Sequence, residues 1–127
     1  MKGELKINNN FYKKDIGKTG EDKASDFLVK DGYTILARNF RTNSGEIDII
    51  ASKKKEYVFV EVKTRTSRKY GMPVDAIDAN KKKHIVNASK YYIYKNKLQN
   101  KFIRYDIVEV YLNKNNYLIN HIKNVFF

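Results

Sequence analysis

Two stretches, Glu46-Ile-Asp-Ile-Ile-Ala51 and Tyr57-Val-Phe-Val-Glu-Val-Lys63, alternate apolar residues with a period of two and flank the polar run Lys53-Lys-Lys-Glu56. Alternation of this kind marks strands, and a short polar connection between them makes a hairpin. A turn centred on Lys54 and Lys55 opposes Ile47 to Val62, Ile49 to Val60 and Ala51 to Val58, so one face is apolar and belongs in a core. The other face carries Asp48 opposite Glu61 and Glu46 opposite Lys63, above Ile50 and Phe59. A slip of one residue would turn one strand's apolar set to solvent, so the register is strongly specified.

Like charges directly opposed across strands destabilise the pair, because their Cβ atoms lie only ~4.5–5.5 Å apart. Asp48 facing Glu61 therefore calls for a cation. A hard divalent ion such as Mg²⁺ takes one or two carboxylates and completes its shell with water and phosphate oxygens. Lys63 would then lie within reach of the ion's water or the phosphate. The plainer alternative is a solvated strand face with a Glu46–Lys63 ion pair. Against it, surface hairpins usually set opposite charges against each other, and Asp48 with Glu61 does the reverse.

At 127 residues the chain suits one domain with a single core. It has no cysteine, which excludes disulfides and thiolate zinc sites. No run reaches the ~18 apolar residues of a membrane span, and Met1–Asn10 lacks a signal-like apolar block, so a cytoplasmic protein is expected. The net charge is +12, and residues 51–100 hold thirteen basic against four acidic side chains. That concentration favours a polyanion, and nucleic acid over membrane, since no strongly apolar amphipathic helix accompanies it. Part of the charge reflects composition, because lysine far outnumbers arginine in a chain rich in Asn, Ile and Tyr.

Residues 1–14 are polar and aperiodic, and are expected to form a flexible arm ahead of one domain, 15–127. Gly20, Ala24, Phe27 and Leu28 form the apolar stripe of a helix from about Asp15 to Asp31, stopped at Gly32, with Glu21 extending the inward face. A strand follows from Tyr33 to about Arg41, then a turn at Thr42-Asn-Ser-Gly45 and the hairpin. Thr66–Met72 reads as a loop, and Pro73 begins a short piece with Val74 and Ile77. A second helix, about Asn80–Asn96, carries Ile85, Ala88, Ser89, Tyr92 and Ile93 on one stripe, with Lys81 a turn ahead on the same line. Phe102–Leu112 and Tyr117–Ile122 read as strands about the turn Asn113–Asn116. The order α-β-β-β-α-β-β indicates helices on a mixed sheet of about five strands.

Asp48 followed across a hairpin by Glu61-Val-Lys63, with an inward glutamate on the preceding helix, resembles the PD-(D/E)xK signature of restriction-endonuclease-like nucleases. A wider set resembles the UPF0102, or YraN, family of small bacterial proteins. It comprises Gly20-Glu21, Gly32-Tyr-Thr-Ile-Leu-Ala-Arg-Asn39, Gly45-Glu-Ile-Asp-Ile-Ile50, Phe59-Val-Glu-Val-Lys-Thr-Arg65, Gly71, Lys81 and Arg104-Tyr-Asp-Ile-Val108. The resemblance implies a restriction-endonuclease-like α/β core close to that of archaeal Holliday-junction resolvases, in a family known mainly as predicted nucleases. It assigns metal coordination to Asp48, Glu61 and the Val62 carbonyl, makes Lys63 the motif lysine and Glu21 the auxiliary acid, and implies Mg²⁺ with Mn²⁺ as substitute. It favours DNA over RNA as partner, with branched DNA as substrate if the resolvase likeness extends that far. The motif's proline is replaced by Ile47, and Glu46 is an additional acid without an assigned role.

Lys81, Lys82 and Lys83 are unfavourably placed for the helix dipole at their helix start, which favours phosphate contact over a merely solvated face. Arg65, Arg68 and Lys69 are expected in the loop leaving the motif strand, flanking the cleft. Arg104 with Asp106 reads as a structural ion pair, His84 and His121 lack ligand-spaced partners, and Tyr91, Tyr92 and Tyr94 read mostly as core or snorkelling positions. Two functions follow: a metal-dependent DNA nuclease, or a non-catalytic or partner-dependent nucleic-acid-binding module that retains the nuclease fold. A homodimer is compatible with either, and no membrane partner is expected.

Overall fold

Gly32 ends the first helix as the sequence predicts. It adopts φ 98°, its N–H donates to Val29 O at 3.0 Å, and Tyr33 N–H donates to Leu28 O at 2.9 Å, the paired bonds of a Schellman cap. In the computed structural model, which describes residues 9–66 and 79–126 with side chains from residue 15 on, this helix is α1, Asn9–Lys30. It begins at Asn9, ahead of the expected start near Asp15. The remaining elements are β1 Thr34–Thr42, β2 Gly45–Lys53, β3 Glu56–Arg65, α2 Ala79–Lys95, β4 Phe102–Leu112 and β5 Tyr117–Ile122. Residues 1–8 of the expected arm, the loop beyond Thr66 and the piece at Pro73, with Arg68 and Lys69, lie outside the described residues.

The five strands form one sheet in the order β1-β2-β3-β4-β5, antiparallel except for the parallel pair β3–β4. Parallel neighbours need a crossover between them, and α2 lies on it. The hairpin register is the expected one: Lys53 faces Glu56, Ala51 faces Val58 and Ile49 faces Val60. The turn is the two residues Lys54 and Lys55, with Lys54 left-handed at φ 57°.

Alternation sends the strands' apolar residues into two cores. Ala24 and Leu28 of α1 pack with Ile49, Ala51, Val58, Val60, Val108 and Val110, while Ile85 and Ala88 of α2 pack with Ile50, Phe59 and Tyr105. Each helix therefore covers its own cluster, an α/β/α sandwich of restriction-endonuclease-like order. Ile47 departs from expectation. It joins the α2 cluster rather than the set of Ile49 and Ala51, at the point where the β2–β3 ladder ends and the neighbouring β1 is kinked at Asn39, φ 52°. Ile47 stays paired with Phe40 of β1, and the pleat changes face across the kink at Asn39, between the Arg38–Ile49 and Phe40–Ile47 pairs. Of Tyr91, Tyr92 and Tyr94, Tyr92 packs inward, edge-on to Phe40 and Phe59 at 5.2 and 5.9 Å. Tyr91 and Tyr94 are 49% and 74% exposed, because successive helix residues rotate off the apolar stripe.

A buried polar knot closes the far end of the sheet. Arg104 donates from Nε and Nη2 to the two oxygens of Asp106 at 2.9 Å each, from Nη1 to Glu56 at 2.7 Å and from Nη2 to Tyr33 OH at 2.6 Å. Asp106 also meets His121 Nε2 at 2.7 Å and accepts from the Asn124 N–H at 2.9 Å. The expected ion pair is thus the centre of a network tying β4 to the end of α1, the hairpin and the segment after β5. Among the described residues no helix is long and apolar enough to cross a membrane.

Candidate functional site

The β2–β3 ladder stops at Ile49 and Val60, one residue short of Asp48 and Glu61. Beyond it the Asp48 side chain replaces the missing backbone partner, its Oδ2 accepting from the Val62 N–H at 2.8 Å. The strands thereby part, while β3 continues alone against β4 as far as Arg65. Gly45 admits α2 to this opening: a Cβ there would come within 2.6 Å of His84 O. The resulting pocket, about 150 Å³, is lined by Gly45, Glu46, Asp48, Glu61, Lys81, His84 and Ile85.

Asp48 and Glu61 line one pocket, although the ladder ends before pairing them as the register predicted. Burial pushes the Asp48 carboxyl up to about 7, the Glu61 charge adds to that effect, and Glu21 adds less, against the pull of the Val62 N–H and Lys81. The cation that answers them comes from α2. Lys81 Nζ lies 3.2 Å from Glu61 Oε2. Burial disfavours its charge, but Glu61, Asp48 and Glu46 outweigh that and raise its pKa. Lys63 is half-buried, in register with Glu109 of β4, and follows Glu61 by two residues on the same strand.

The other expected site residues separate. Glu21 lies 3.6 Å from Arg38 and lines the adjoining hollow. Among the described residues no three His, Cys, Asp or Glu side chains gather as a ligand set. Val62 contributes its N–H to Asp48 and its side chain to the α1 cluster. Glu46 pairs with Arg41 at 3.2 Å instead of Lys63. Arg65 is the last residue of β3 rather than part of a loop, its Nε 3.8 Å from the buried Glu109. Lys82 lies over the Phe126 ring at 5.2 Å, and Lys83 is exposed. Sequence reasoning missed His84 as a pocket wall, and Arg38 and Arg41 beside it. The only signal was their basic character on the strand before the hairpin.

The donor set suits a hard cation. Asp48 and Glu61 line the same pocket, burial and the Glu61 charge penalise the Asp48 carboxylate, and the Lys81 ammonium stands beside Glu61; a divalent ion would be held by Asp48 and Glu61, with water and phosphate filling its shell.

Element order and the parted hairpin define an α/β protein of the restriction-endonuclease-like class. Residues 20–110 match the family described as "Uncharacterised protein family UPF0102". A UPF0102 protein of Caldicellulosiruptor saccharolyticus is 50% identical over 116 residues, covering 90% of this chain and 98% of its own. One from Clostridium perfringens is 44% identical over 117 residues, covering 91% and 96%. The chain belongs to the UPF0102 family.

Proposed function

We propose that this site hydrolyses DNA phosphodiester bonds with a divalent cation, Mg²⁺ or Mn²⁺, held by Asp48 and Glu61. The observation that carries the reading is the parted hairpin, where an Asp48 carboxyl pushed up to about 7 shares a pocket with Glu61 and Lys81. A perturbed carboxyl beside a second acid in a cleft is what such chemistry uses. The ion supplies Lewis acidity and an activated water. The chain's own residues then have distinct tasks. Asp48 is oriented by the Val62 N–H, Lys63 stabilises charge at the scissile phosphate or orients the water, and Lys81 offers its ammonium to a phosphate oxygen. A second reading, a nucleic-acid-binding module that turns over slowly or only with a partner, draws on the Lys81 ammonium lying 3.2 Å from Glu61, where it balances that carboxylate.

Labelled single-stranded, duplex, flap and four-way-junction DNAs, incubated with Mg²⁺ or Mn²⁺, separate the two. The nuclease reading expects at least one substrate to be cut, and Lys63→Ala to lose ~10²-fold or more in rate with a far smaller change in DNA affinity. Binding without cutting on every substrate, or undiminished cutting by Lys63→Ala, favours the module.

Lys81 makes a prediction of opposite sign to that of a ligand. Its ammonium and a divalent ion compete for the same carboxylates. Lys81→Met should therefore tighten Mn²⁺ binding without DNA, by about five-fold for a partly exposed pair worth ~1 kcal/mol. Calorimetry or Mn²⁺ relaxation reads this, and weaker binding in the variant would mean that Lys81 assists the ion instead.

A further inference from the structure

The carboxylate pocket does not end at Glu46. That residue also lines an open groove of about 660 Å³ between α1 and β1, walled by Lys18, Glu21, Arg38, Asn39 and Arg41. Arg41 in turn borders a hollow of about 410 Å³ formed by the β1–β2 turn, Thr42, Asn43 and Ser44, with Tyr91 of α2. Shared residues make the three concavities one path leading from the two carboxylates to an exposed aromatic ring.

We propose that this path seats a single strand of nucleic acid, its phosphates on Lys18, Arg38 and Arg41 and one base on Tyr91. The inference rests on the nuclease reading only for the position of the scissile phosphate, at the Glu46 end. Three features point to that ligand. The cations face the groove in exchangeable pairs: Lys18 with Asp22 at 3.1 Å, Arg38 with Asp22 at 2.9 Å, and the 74% exposed Arg41 with Glu46 at 3.2 Å. Exposed pairs of this kind are weak, so phosphate oxygens can displace the carboxylates. Gly17 leaves the helix side open, with nothing within 4 Å of where a Cβ would stand.

Tyr91 supplies the second feature. Its ring is half exposed, near-parallel to Phe40 at 6.3 Å and 27°, with Lys95 Nζ 5.6 Å from its centroid. A ring braced from one side and flanked by cations is a stacking platform for a base. The third is size. Hollows of a few hundred Å³ fit small ligands, hence individual nucleotides rather than a duplex, whose base faces are hidden within its own stack.

Anisotropy of labelled oligo(dT) and of a blunt duplex, measured without metal on the full chain, tests the path. Tyr91→Leu should weaken oligo(dT) binding about ten-fold and duplex binding much less. Arg41→Gln should weaken oligo(dT) binding and reduce its salt slope by ~0.7. Lys54→Gln, at the far hairpin tip, should do neither. All three side chains lie on the surface, so folding is preserved. Oligo(dT) affinity unchanged in both groove variants, or reduced equally by Lys54→Gln, overturns the path, and does so even if the wild type cuts DNA. Conversely, a wild type that cuts nothing but loses oligo(dT) through Tyr91 and Arg41 keeps the path and removes the nuclease.

Discussion

Asp48→Asn is expected, on the nuclease reading proposed above, to lower cleavage by at least ~10²-fold, and on any reading to stabilise the protein above pH 7. The Asp48 carboxyl, ordinarily near 3.8, is pushed up to about 7 by burial and by Glu61. Between those values the folded chain holds a proton that the unfolded chain has released, so stability falls as pH rises from about 4 to 7 and stays low above. The shift corresponds to about 2–4 kcal/mol, toward the lower figure because Asp48 is only partly removed from water. Asparagine carries no charge to desolvate and can still accept from Val62 N–H. Urea unfolding across this range should show the decline in wild type and its loss in Asp48→Asn. Parallel profiles would mean that Asp48 is not strained by its surroundings.

Asp106→Ala should act in the opposite sense, costing about 3–5 kcal/mol, as breaking a buried ion pair does. The variant strands Arg104 beside Tyr33 and Glu56 and removes the acceptor for His121 and Asn124 N–H. Burial alone would raise the Asp106 carboxyl, but His121, Arg104 and the Asn124 N–H outweigh it and hold it below the usual range. Its contribution is therefore complete above the ordinary carboxylate value and lost as pH falls through the depressed one. Thermal unfolding near pH 7 should show a large fall in midpoint, with the gap to wild type narrowing in strong acid. A stability within about 1 kcal/mol of wild type would show that the knot is dispensable.

The sequence by itself determined the hairpin and a register centred on Lys54 and Lys55, because a one-residue slip would expose one strand's apolar set; the structure chose the two-residue turn over a four-residue one. The sequence also determined the helical stripes, the Gly32 cap and the approach of Asp48 to Glu61, since all of these depend on neighbours at fixed spacing. Tertiary structure alone decided what surrounds the carboxylates. The parting of β2 and β3 follows from a side chain taking a backbone N–H, which alternation does not encode, and the Asn39 kink in β1 sets which core Ile47 joins. Lys81 reaches Glu61 from twenty residues away because Gly45 lets α2 close in, while Glu21 turns to Arg38 and Arg65 to Glu109. The exposure of Tyr91 beside Arg41 likewise depends on how α2 lies against the β1–β2 turn. A charged side chain can reach several partners at similar cost, and only the packed elements decide which one it meets.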